Sequence, residues 1–122
     1  MKYMVMTYGD RSAWEALAGG GPAAMSDDEI AAHFAAMAAF QEELRASGEL
    51  VAAFGLADPG RTQVVDVREG LPVVSDGPYA EAKEVLAGFG VIEVDTHDRA
   101  VALAARFAGC VGTRVELRPV DG

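Results

Sequence analysis

The chain has 122 residues, 51% hydrophobic and 24% charged, a balance suited to one folded domain over residues 1–122 and unlike that of a disordered chain. Nineteen acidic against ten basic residues give a net charge of −9, which opposes direct binding to nucleic-acid phosphates or to anionic lipid. A single cysteine, Cys110, excludes an intrachain disulfide and points to a reducing, cytoplasmic compartment.

The chain starts at once on a strand-like run, Lys2 to Tyr8, with no basic segment leading into a long apolar one. Neither a signal peptide nor a membrane span is expected. Gly9 and Asp10 end the strand, Arg11 to Leu17 suit a short helix carrying Trp14, and Gly19-Gly20-Gly21-Pro22 breaks it. The glycine run makes residues 9–25 a candidate mobile lid. Ser26 with Glu29 forms a capping box for a long helix, and Asp27 and Asp28 suit its dipole. Ile30, Phe34, Met37, Phe40 and Leu44 recur at spacings of three and four as one apolar stripe, and Gly48 stops the helix.

Leu50 to Leu56 reads as a strand, Asp58-Pro59-Gly60 as a turn, and Thr62 to Arg68 as a second strand. Glu69-Gly70 turns the chain back into a strand at about Leu71 to Ser75, and Asp76-Gly77-Pro78 closes it. Tyr79 to Glu84 suits one helical turn, and Val85 to Asp95 is the longest strand, with Val91, Ile92 and Val94 at its β-branched centre. Thr96 caps a second helix whose buried side is Val101, Leu103, Ala104 and Phe107. Gly109 and Gly112 end that helix, Cys110 serves as a small packing residue, and Thr113 to Val120 is the last strand.

The order β-α-β, hairpin, β-α-β predicts a ferredoxin-like α+β domain, with both helices on one face of a mainly antiparallel sheet. Two helices cover one face only. Met4, Met6, Val65, Val91 and Leu117 are candidates for the other, and an apolar face of that size predicts a homodimer of the dimeric α/β barrel kind.

Ser75-Asp76-Gly77-Pro78-Tyr79-Ala80-Glu81-Ala82-Lys83-Glu84 resembles the motif of the DGPF group of YCII-related proteins. Met1-Lys2-Tyr3-Met4, Tyr8-Gly9-Asp10 and Trp14 resemble the group's opening. Phe40 to Arg45, Gly88-Phe89 and Val115 to Val120 are similar to its later segments. The resemblance implies a ferredoxin-like fold and a dimer. From the broader family it also implies a His and an Asp in a cleft between sheet and helices. It further implies an association with extracytoplasmic-function sigma factors, and it brings no assigned reaction. One departure is Ala52-Ala53-Phe54-Gly55-Leu56, where members carry a glycine-rich, acidic segment; Phe54 stands near the expected cleft edge.

His33 is the sharpest candidate acid–base group, beside the apolar stripe and four residues after Glu29. A half-buried surface histidine is its plainer alternative. His97, in the first turn of the second helix, carries little functional weight. Asp76 either fixes the turn through backbone N–H groups or acts on a ligand at the cleft mouth. Tyr79, Glu81 and Lys83 crowd the same bend, where exposed ion pairs add only about 0–1 kcal/mol. They suit instead a small anionic or aromatic metabolite, with Tyr8 and Trp14 closing over it. No spacing of His and Cys suggests a metal, and no cofactor motif is present. Three readings follow: a small-molecule site of unassigned reaction beside the Asp-Gly-Pro bend, a cofactor-independent lyase or isomerase with His33 and Asp76 as its catalytic groups, or an interaction module that docks on a sigma factor.

Overall fold

Local signals in the sequence set nearly every element boundary in the computed structural model, which describes residues 1–9, 26–77 and 84–121. Helix α1 (Asp27–Ser47) opens on the capping box: Ser26 Oγ accepts from the Glu29 N–H at 3.1 Å, and Glu29 Oε1 accepts from the Ser26 N–H at 3.4 Å. It closes at Gly48, whose φ of +81° lies in the left-handed region that glycine adopts without steric cost. Helix α2 (His97–Val111) opens on Thr96, whose hydroxyl accepts the Arg99 N–H at 3.1 Å. It runs through Gly109 and stops only at Gly112. The expected stop at Gly109 is therefore replaced by a mid-helix glycine, tolerated at a cost of about 1 kcal/mol.

Among the described residues the strands are β1 (Lys2–Gly9), β2 (Leu50–Gly55), β3 (Gln63–Arg68), β4 (Leu71–Asp76), β5 (Val85–Glu93) and β6 (Val115–Pro119), with a 3₁₀ turn at Pro59–Arg61. Four of them form one sheet in the order β2-β5-β1-β6, antiparallel at every pairing. Each helix thus carries the chain past a strand of the other unit, so β1-α1-β2 and β5-α2-β6 interlock. This is the ferredoxin-like α+β arrangement that the element order predicts.

Strand register assigns every side chain to a face. Leu50, Ile92, Tyr3 and Pro119 form one lateral row, and Ala53, Gly90, Val5 and Leu117 the next, both on the helix side. Against these rows α1 places Phe40 and Leu44, and α2 places Ala100, Leu103 and Phe107, all buried. Phe40 meets Phe107 edge-on with ring centroids 4.7 Å apart. Burying side chains of this size stabilises the fold by roughly 1.5–3 kcal/mol each. Leu117 therefore belongs to the core side and not to the open face expected for it; alternation in β6 sends Glu116 and Arg118 outward instead.

Two further expectations change. Phe34 is 57% exposed, while His33 is half-buried on the line that continues through Met37, Phe40 and Leu44. The buried line of α1 therefore runs through His33, Met37, Phe40 and Leu44 and leaves Phe34 outside it. Val65 belongs to a separate two-stranded sheet of β3 and β4, not to the main one.

Ion pairs clasp the helices. Arg99 donates twice to Glu49, with both bonds 2.8 Å long, and Arg106 donates to Glu43 at 2.9 and 2.6 Å while its guanidinium lies 4.5 Å from the Phe40 ring centroid. Among the described residues, no helix is long and apolar enough to cross a membrane.

Candidate functional site

The sheet face away from the helices carries the most distinctive surface. Ala52, Val91, Met4 and Arg118 form one lateral row across the four strands, and Phe54, Phe89, Met6 and Glu116 form the next. Two of these side chains are methionines, flexible and polarisable, a type well suited to ligands of varied shape. The rings of Phe54 and Phe89 lie 5.7 Å apart at 47°. Phe54 is 61% exposed, while Met4, Met6, Phe89 and Val91 are half-buried by one another.

Tyr8 extends this surface. A register shift between Thr7 and Tyr8 places it opposite Leu86, and its hydroxyl donates to Met6 Sδ at 3.7 Å, so the two share a face. The β5 strand can lie this close to β2 because residue 88 is glycine: a Cβ there would meet the Phe54 carbonyl oxygen at 2.9 Å. β5 begins at Val85, opposite Gly9, at the Tyr8 end of the open face. Glu84, at that entry, pairs with Arg114 next to β6.

Asp76 occupies the last position of β4, paired with Gln63, rather than the turn expected for it. Beyond it the Gly77 N–H donates to the Thr62 carbonyl at 2.9 Å, which continues the cross-strand contact of β3 with β4 by one residue. Antiparallel pairing of β2 with β5 ends where the Leu56 N–H meets the Ala87 carbonyl, and resumes beyond Thr62 and Gly77 as β3 with β4. Asp58-Pro59-Gly60, with its 3₁₀ turn, separates β2 from β3. Asp76 and Gly77 lie at the root of the hairpin, where β4 ends.

His33 lies half-buried on α1, edge-on to Phe34 at 5.4 Å. Among the described residues, no hydrogen bond or ion pair joins His33 to Asp76. Trp14, Tyr79, Glu81 and Lys83 lie outside the described residues, as do the candidate lid of residues 9–25 except Gly9, which ends β1, and the expected helical turn from Tyr79 to Glu84 except Glu84. His97 Nδ1 lies 3.1 Å from the hydroxyl of buried Tyr3, which ties the start of α2 to the sheet. No group of three or more His, Cys, Asp or Glu among the described residues is placed to hold a metal ion. An open groove of about 440 Å³ runs between α1 and α2 over Ala36, Ala39 and Gly109, and Cys110 lines it.

With this geometry in place, the sequence matches the YCII-related domain over residues 1–114. The chain belongs to the YCII-related family. A comparison with curated proteins found no match. In this YCII-related chain Met4, Met6 and Val91 lie on the open face expected for them, while the ring pair Phe54–Phe89 is the part of the surface that the sequence pattern left unassigned. Phe54 drew notice only as a departure, and Phe89 only as part of the resemblance. The signal was available in the alternation of Leu86-Ala87-Gly88-Phe89-Gly90-Val91, which sends Phe89 and Val91 to one side of β5 and the glycines to the other.

Proposed function

We propose that this YCII-related protein binds a small organic molecule with an aromatic or apolar body on the open sheet face, at the end where Tyr8 meets the start of β5. The Asp-Gly-Pro segment, with Tyr79 and Lys83 following it in sequence, supplies the polar contacts. Two copies pair open face to open face, enclosing the molecule. The observation that carries this reading is the Phe54–Phe89–Met6 row with Tyr8 beside it: aromatic rings and thioethers on a surface that no described helix or strand covers. An apolar surface of this extent is normally a binding surface, and flexible methionines adapt it to ligands of varied shape. Turnover by His33 and Asp76 would require them to meet across the pair or through the ligand, and nothing in the geometry favours that step over binding alone.

The test uses methyl-labelled methionine and a panel of small aromatic and aliphatic carboxylates followed by NMR. The Met4 and Met6 methyls are expected to shift on binding while Met37, on the helix side, stays fixed. Met6→Lys should abolish the response. Shifts confined to Met37, or a panel that leaves all methyls unmoved, would overturn the reading.

A further inference from the structure

The β3–β4 hairpin stands clear of the main sheet. Every residue of β3 and β4 except Val64 is exposed, and its strands pair only with each other. Its two faces differ in kind. Val65 faces Val74 and Val67 faces Pro72 on one side, with Gln63 and Asp76 at the root. The other side mixes Asp66, Arg68 and Ser75 with Val64, Leu71 and Val73. On the apolar side Val65 is 64%, Val67 66% and Val74 54% exposed. An isolated two-stranded ribbon is marginal in water and needs a third element against its apolar face. Among the described residues, none is there.

We propose that this hairpin is an arm that lays its Val65–Val67–Pro72–Val74 face over the edge of the paired open sheets of a second copy of this chain. The inference deepens the reading above and rests on the pairing it assumes. Reach allows it: six residues per strand give an arm of roughly 20 Å at about 3.3 Å per residue, and the eight of β1 span roughly 26 Å. Area calls for it. A stable interface takes roughly 20–30 residues a side, and the two outward rows with Tyr8 and Leu86 fall well short of that. The arm's apolar face brings the contact toward the standard size. The occupant is a second copy because one chain then offers both halves of the contact, and a two-fold pair satisfies both at once. Asp76 and Gly77, at the root of the hairpin, thereby set where the arm crosses the partner, which gives them a role in closing the binding face.

Sedimentation equilibrium at micromolar concentration tests this with three proteins. Wild type is expected at the mass of two chains. V65E/V67E should dissociate at least tenfold more readily, and V73E, on the opposite face of the same ribbon, should match wild type. Circular dichroism of each variant checks that the helices persist, as expected for changes remote from the core. Hydrogen exchange of wild-type amides 63–76 gives a second readout and should quicken on dilution. Wild type at the mass of one chain would sink both the pairing and the arm. A two-chain mass retained by V65E/V67E would sink the arm alone. Hairpin protection that is independent of concentration would place a different occupant on this face and would likewise overturn the arm.

Discussion

Glu49 shows how one side chain can join three elements. It follows the end of α1, and its carboxylate accepts both Arg99 bonds from the first turn of α2 and the Ser47 hydroxyl at 2.9 Å. Its backbone carbonyl takes the N–H of Glu93 in β5 at 2.8 Å. Hydrogen bonding from Arg99 is the main reason its carboxyl is pulled down from 4.5 to about 2, against a smaller opposing effect of burial. A folded-state value below the unfolded one means stability that is fully present above about pH 4.5 and is lost as pH falls toward about 2. Full linkage would assign the shift about 3 kcal/mol, but Arg99 is half exposed and solvent screening reduces this to about 1 kcal/mol. Glu49→Gln should therefore lower the urea midpoint at pH 7. It should also flatten the pH dependence between pH 5 and 2, measured by urea unfolding across that range. An unchanged slope would show that the clasp is bypassed by solvent.

At the scale of elements, α1 divides into two halves that a helical repeat alone treats alike. Leu44 has no exposed surface and sits in the core with Ile92 and Leu103, whereas Phe34, on the expected stripe, is 57% exposed. Leu44→Ala should cost about 2–5 kcal/mol through lost burial and the cavity left behind. Phe34→Ala should cost less than about 1 kcal/mol, and paired chemical denaturation of the two variants measures the contrast. The capping residues, the turn at Glu69-Gly70 and the strand alternation were legible because each is a local signal tied to a backbone requirement. Even the strain is local: Glu69 takes φ +53° and Gly70 +77°, as a two-residue hairpin turn demands. Which residues of an apolar stripe meet a partner was not legible, since that depends on where the helix axis lies over the sheet. For the same reason Leu117 was assigned to the wrong face; its side is fixed by pairing with Val5, a contact between the two ends of the chain. The candidate site was half legible. Tyr8 and the Asp-Gly-Pro motif stand out as residue types, but the surface that Tyr8 extends is built by lateral rows over four strands. No window of sequence contains such a row.

For the whole molecule, the proposed pairing has to overcome charge. Each copy carries −9, so bringing two together would raise electrostatic free energy over a range set by the Debye length, about 10 Å at 0.1 M salt and about 3 Å at 1 M. In the proposed pair the outward rows would oppose this with apolar surface, whose burial is strengthened by excluded salts such as sulfate. Arg118 and Glu116 flank the same rows on the edge strand β6, and in a two-fold pair they offer cross-chain ion pairs that salt would weaken. The sign of the salt effect distinguishes which contribution dominates. If the apolar rows and the arm hold the pair, the dissociation constant should fall severalfold between 0.05 and 0.5 M sodium chloride, and further in sodium sulfate at matched ionic strength. Sedimentation equilibrium at each salt measures it. A dissociation constant that rises with salt would place the binding energy in the Arg118–Glu116 edge, and in that case Arg118→Gln should dissociate the pair while V65E/V67E should not.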